Sequence, residues 1–249
     1  MERVLVVPAA KLFEQIGFVN GFHFVRNEKE LERVKQVIRR HHRFAPRPQG
    51  ANSVVEHDSF YKQFITYGIF FSKESDGEAK IFIYKRNGLG SSDDLGDDRL
   101  LDVYSIGIGG HIKHTDKLNE RSIMLEGVLS KSIWREIKEE VEFSKCNKPR
   151  FIGFVNFDHL PINPYELIRE NERLIGTKTK IERTHFGLVY LIQVSPDIKI
   201  SKNEADKNTG FLIPASEVTS FLPQMEPWSK AIWEELSKRY APLFGSLHQ

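Results

Sequence analysis

Between positions 135 and 140 the chain reads Arg-Glu-Ile-Lys-Glu-Glu, which places three carboxylates within five consecutive positions. On a helix that advances about 100° per residue, Glu136, Glu139 and Glu140 fall within one sector of about 100°. Ile133, Ile137 and Val141 form the neighbouring apolar stripe, which is expected to face a core with the carboxylates along its edge. Like charges this close oppose one another's ionisation unless a cation compensates. Hard divalent ions such as Mg2+ and Mn2+ take oxygen ligands, commonly a few carboxylates with water and substrate phosphate. A bare acidic run is more often a solvated helix face, so the cluster alone does not make a site.

A second feature lies upstream. Gly109-Gly110 follows an expected strand and precedes the segment leading to the acidic helix. Glycines let a carbonyl turn toward a metal, or backbone N–H groups turn toward a phosphate. The pair is therefore expected to form a bend. His111 sits beside it, within reach of a phosphate, and Asp116 follows Gly110 after five residues.

These residues resemble the box of the Nudix (MutT-like) hydrolases, G-x5-E-x7-R-E-U-x-E-E-x-G-U, where U is aliphatic. The chain reads Gly110-x5-Asp116-x18-Arg135-Glu136-Ile137-x-Glu139-Glu140-Val141-Glu142-Phe143. Asp116 stands in place of Glu, the spacer before Arg135 is eleven residues longer, and Glu142 replaces the last Gly. The wider chain is similar to a branch described as predicted MutT-like phosphoesterases. The similarity runs through Val4 to Pro8, Glu56-His57-Asp58 with Lys62-Gln63, Ser105 to Ile112, His185 to Val189, and Glu226 to Ser229.

The resemblance implies a divalent-metal-dependent hydrolase that cuts a phosphoanhydride bond in a nucleoside diphosphate derivative or a nucleoside triphosphate. Mg2+ or Mn2+ would be held by Glu136, Glu139, Glu140 and the Gly109 carbonyl. Arg135 would pair with Asp116 and, with Gly110, support the box. The ion would activate a water, and a carboxylate would take its proton: Glu139 or Glu140, or a later residue such as Glu182 or Glu226. The competing reading is a catalytically silent Nudix-like domain that binds or senses a nucleotide. The isopentenyl diphosphate isomerases share the fold, but their chemistry needs a cysteine ahead of the box. Cys146, the only cysteine, comes after it.

The elements that must position these groups read as follows. Strands are expected at 3–7, 63–72, 80–85, 101–108, 151–157 and 186–194. Helices are expected at 11–15, 28–41, within 123–143, at 214–221 and at 227–240. Phe44 to Gly50, with two prolines, reads as a loop. It separates an N-terminal extension, 1–58, from a hydrolase domain, 59–249. The mixture implies an α/β chain, and the resemblance an α/β/α sandwich with a mixed sheet. The Asp-rich stretch 87–98 lacks the ligand order of a calcium loop and reads as solvated. Trp228 and Trp233 read as core.

Hydrophobic residues make up 40% of the chain and charged ones 28%, an ordinary globular composition that argues against disorder. A formal net charge of +2 is too small to argue for nucleic-acid binding. Arg39, Arg40, His41, His42, Arg43 and Arg47 read as the solvated end of a helix. One cysteine allows no internal disulfide, consistent with a cytoplasmic location. No apolar run approaches the roughly 18 residues of a membrane span. Homodimers are common among Nudix relatives, so a homodimer is an expectation carried by the resemblance.

Overall fold

The structure is a computed structural model, and it describes residues 1–47, 58–73, 77–86, 103–116, 125–157, 181–206 and 208–240. Its organising element is β4 (Tyr61–Ser72), nearly all of which is buried. A strand covered on both faces needs apolar side chains on both, and β4 supplies them. Phe64 and Phe70 enter one core, while Tyr67, Ile69 and Phe71 enter the other.

Around β4 the sheet is mixed. Strand β10 (His185–Gln193) runs parallel to it, with Phe186 opposite Phe64, and β9 (Arg150–Asn156) runs antiparallel to β10. Strand β7 (Gly107–His111) pairs antiparallel with β4, bringing Gly109 opposite Tyr67 and Gly110 opposite Thr66. Strand β5 (Lys80–Arg86) joins the far end of β4, and a separate two-stranded sheet pairs β8 (Val141–Glu142) antiparallel with β11 (Lys199–Ile200).

The first 47 residues are woven into the same sheet. Strand β1 (Glu2–Pro8) pairs with the start of β4, and β2 (Gly21–Phe24) pairs with β9. The expected loop at 44–50 is corrected in part. Residues 43–47 form β3 (Arg43–Arg47), antiparallel to β1 with Pro46 opposite Arg3, while 48–50 lie outside the described residues. Among the described strands β3 pairs only with β1, and an edge strand tolerates a proline that lacks an N–H.

Helices cover both faces. On one side lie α1 (Ala9–Ile16), α2 (Glu28–His41) and α3 (Leu125–Glu140), burying Leu12, Val34, Val37, Ile38, Val128, Ile133 and Ile137. The Asn27 side chain caps α2 by accepting from the Glu30 N–H at 3.1 Å. Arg39, Arg40 and His41 occupy its last turn, where cations suit the helix dipole. Against the other face packs α6 (Pro227–Arg239), burying Trp228, Ile232, Trp233 and Leu236. The expected α/β/α sandwich with a mixed sheet is therefore the observed architecture. Short α4 (Ile181–Thr184) precedes β10, and α5 (Val218–Phe221) precedes α6.

Two further expectations are corrected. A single helix over 214–221 is replaced by strand β12 (Asn208–Pro214), a 3-10 turn and the single turn of α5. The expected strand at 101–108 is two short pieces, β6 (Tyr104–Ser105) and β7; 101 and 102 lie outside the described residues. The Asp-rich stretch also lies outside them. No described helix is long and apolar enough to cross a membrane.

Candidate active site

Arg135 holds α3 against the end of β7. Its Nε donates to Asp116 Oδ1 at 2.9 Å and its Nη2 to Asp116 Oδ2 at 3.0 Å, a two-pronged contact. Nη2 also donates to the His111 carbonyl at 2.8 Å. Asp116 is buried, and it accepts from the Lys113 N–H at 2.8 Å, which closes the turn after β7. The lengthened spacer does not prevent this pairing. Helix α3 begins at Leu125, so much of the extra length is helix, and residues 117–124 lie outside the described part.

The third nitrogen, Nη1, donates to Glu136 Oε1 and, at 3.1 Å, to Glu139 Oε2. One guanidinium thus serves both carboxylates. Burial opposes its charge, but the hydrogen bonds and fields of Asp116 and Glu136 outweigh that and raise its pKa. Glu136 is 4% exposed. Burial raises its pKa above the ordinary carboxylate value, and the charge of Arg135 only partly offsets this.

The diglycine is not a bend. Gly109 and Gly110 lie in extended strand, and neither has a positive φ. Glycine is needed there for space. A Cβ on Gly110 would stand 2.6 Å from both Glu136 carboxylate oxygens, and one on Gly109 only 1.8 Å from the Thr66 carbonyl. Gly110 thus lets a buried carboxylate rest against the backbone of β7.

The three glutamates do not form a closed cage. Among the described residues no group of three or more His, Cys, Asp or Glu side chains could hold a metal ion. Glu136 faces Gly110, Glu139 is about half exposed, and Glu140 is partly buried at the end of α3. The donors nevertheless suit a hard divalent ion. They are carboxylate oxygens beside a strand backbone, and two of them already converge on a positive charge, that of Arg135.

On the opposite face of the sheet, His111 and His185 meet Nε2 to Nε2 at 3.0 Å, and His185 Nδ1 lies 3.0 Å from Thr184 Oγ1. Both histidines are buried. Burial, then the positive fields of Arg47, His185, Lys113 and Arg135, hold His111 well below its ordinary pKa. The expected phosphate contact at His111 is replaced by this partner. Lys62 is fully buried and donates to the Arg183 carbonyl at 2.6 Å.

Glu182 lies in α4, with its side chain outside the described part. Glu226 sits at the start of α6, where its Oε1 accepts from Tyr67, Ser105 and Ser229. Sequence reasoning missed these hydroxyls. Serines and a tyrosine scattered over about 160 positions carry no spacing signal, although Glu226-Pro227-Trp228-Ser229 had pointed to one end of the network.

No family model matches the chain, nor does any curated protein. Solved structures do. The fold is similar to the crystal structure of Tm1382, a protein assigned as a Nudix hydrolase, with 25% identity, a TM-score of 0.66, and coverage of 96% of this chain and 100% of that one. A mutT/nudix family protein from Listeria innocua is more distant, at 15% identity and a TM-score of 0.43, covering 73% and 96% of the two chains. The Nudix domain of Shewanella oneidensis NrtR, solved with ADP ribose, aligns at 12% identity with a TM-score of 0.42, covering 72% and 88%.

Proposed function

We propose that this chain is a Nudix hydrolase, and that it cleaves a phosphoanhydride bond in a small nucleotide-like substrate with the aid of Mg2+ or Mn2+; the support is its similarity to a solved Nudix structure over 96% of the chain at 25% identity. The substrate would be a nucleoside diphosphate derivative or a nucleoside triphosphate. One observation carries the reading: Arg135 locks onto Asp116 while holding Glu136 and Glu139 beside the strand of Gly109 and Gly110. A box kept for fold alone has little use for a buried carboxylate whose ionisation burial opposes.

Glu136, Glu139, Glu140 and the Gly109 carbonyl are the groups that would hold the ion. An ion held by these groups would supply a bound water of lowered pKa and positive charge to offset that of the phosphates. Glu139, exposed at the end of α3, or Glu140, one residue on, would take the proton from the attacking water. Arg135 keeps both the helix and its carboxylates in register with β7.

Hydrolysis of a panel of nucleoside diphosphate derivatives and triphosphates in 18O-labelled water tests this. The expected result is one label in a phosphate-bearing product, formed with Mg2+ or Mn2+ and lost with EDTA. Tight nucleotide binding without any turnover would instead establish a silent binding or sensing domain. Undiminished turnover in EDTA would remove the metal from the account.

A further inference from the structure

The buried hydroxyl network below β7 gives Glu226 a different task from that of a base. We propose that Glu226 is a positioning residue, which holds the diglycine strand through Tyr67, Ser105 and Ser229 and does not take the proton from the attacking water. The activity part of this inference rests on the hydrolase reading above; the structural part does not.

The network is continuous. Glu226 Oε1 accepts from the Tyr67 hydroxyl at 2.5 Å, from Ser105 Oγ at 2.9 Å and from Ser229 Oγ at 2.9 Å. The Tyr67 oxygen lies 2.9 Å from Ser105 Oγ and 3.0 Å from Ser229 Oγ. From there it reaches the backbone that leads into the diglycine. Ser229 Oγ accepts from the Ile106 N–H at 3.0 Å, and Ser105 Oγ accepts from the Gly107 N–H at 3.3 Å. The Glu226 N–H donates to the Tyr104 carbonyl at 3.0 Å, so both backbone and side chain of one residue tie α6 to β6 and β7.

Tyr67 carries the constraint to the site. Its backbone lies directly opposite Gly109 in the β4–β7 ladder. Its ring packs against Gly107, where an added Cβ would come within 1.8 Å of a ring carbon. Strand β7 is thus gripped from the α6 side, while its other face meets Glu136 at Gly110. A shift of β7 changes the distance between the diglycine backbone and the box carboxylates, and sub-ångström placement governs the reaction rate.

The two roles need different chemistry. A base needs an ionisable group with a lone pair aimed at water. An anchor for three hydroxyl donors needs only an oxygen acceptor, and the oxygen of a glutamine side chain supplies one. Oε1 of Glu226 is already engaged by three donors.

The test compares Glu226→Gln, Glu226→Ala and Tyr67→Phe by steady-state kinetics and by amide hydrogen exchange on the unliganded protein. We expect Glu226→Gln to keep kcat within about threefold and to keep the wild-type pH profile. Glu226→Ala should lower kcat about tenfold or more with little change in KM, and Tyr67→Phe should show a smaller fall of the same kind. In Glu226→Ala and Tyr67→Phe the amides of 107–111 should exchange about tenfold faster, with those of β9 and β10 unchanged. If Glu226→Gln is as inactive as Glu226→Ala and loses the acid limb of the profile, Glu226 is a base and the proposal falls. It falls equally if Glu226→Ala leaves exchange at 107–111 unaltered. Should the wild type hydrolyse nothing, the hydrolase reading fails by itself, and the exchange data alone decide the positioning role.

Discussion

Arg135 clasps Asp116 edge to edge across nineteen positions of sequence, with both carboxylate oxygens engaged at 2.9 and 3.0 Å. Asp116 is 1% exposed, so it cannot turn to water if its partner is removed. Breaking one half of such a pair leaves an uncompensated buried charge and costs about 3–5 kcal/mol. Arg135→Leu is therefore expected to lower the urea-unfolding free energy by about that amount. Arg135→Lys should recover only part of it, because an ammonium cannot reproduce the two-pronged fork. A loss below about 1 kcal/mol in Arg135→Leu would show that the pair does not hold α3 to β7.

The two glycines of the diglycine should fail in different ways. At Gly109 the added methyl would meet backbone, the Thr66 carbonyl, which cannot move without parting β4 from β7. Gly109→Ala is expected to unfold at markedly lower temperature. At Gly110 the methyl would meet only the end of the Glu136 side chain, which can swing aside. Gly110→Ala should keep most of its stability yet lose about a hundredfold or more in kcat, comparable to losing one electrostatic group of a site. Thermal melts and steady-state rates on both variants separate the two effects, and equal melting losses would contradict this assignment.

The buried histidine pair sets an acid limit on stability. His111 is held neutral in the fold by burial and by nearby positive charge, so its folded pKa lies below that of the unfolded chain. The unfolded chain then binds more protons as pH falls below about 6.5. Stability is fully present above that value and is lost as pH drops toward the folded pKa, by at most about 1.4 kcal/mol per pH unit for each proton. Unfolding free energies measured between pH 5 and 8, on the order of the histidine range, should slope down toward acid. The slope should flatten in His111→Gln. A slope unchanged by that substitution would assign the acid loss to other groups.

What the sequence made legible follows from whether the determinant is local. Helix α2 was expected at 28–41 and occurs there because Asn27 caps it and Leu31, Val34, Val37 and Ile38 repeat at helical spacing. The central strands β4, β9 and β10 were readable as apolar runs. Strand β12, reading Asn-Thr-Gly-Phe-Leu-Ile-Pro, is short, starts polar and lies at the edge of the sheet, so no period marks it. Residues 44–47 looked like loop for Pro46 and its neighbours and became strand because β1 offered an edge.

The candidate site divides in the same way. The acidic helix was visible as residue types at a spacing, and the Arg135–Asp116 pair only through the resemblance to the Nudix box. The reason for the glycines was not, since it comes from Thr66 and Tyr67 on β4 and from Glu136 on α3, which approach from two other places in the chain. The same holds for the His111–His185 contact and for the hydroxyls around Glu226, which tertiary folding alone assembles.

The central claim is that the carboxylates of α3 do the chemistry, and the hydrolysis rate of Glu139→Gln and Glu140→Gln against wild type, with saturating Mg2+ or Mn2+, measures it directly. Each substitution is nearly isosteric, with Glu139 exposed and Glu140 only partly buried at the end of α3, so folding should survive. The expected result is a fall of about a hundredfold or more in kcat for each variant, about 3 kcal/mol of transition-state stabilisation. Variants that hydrolyse the substrate as fast as wild type would contradict the account.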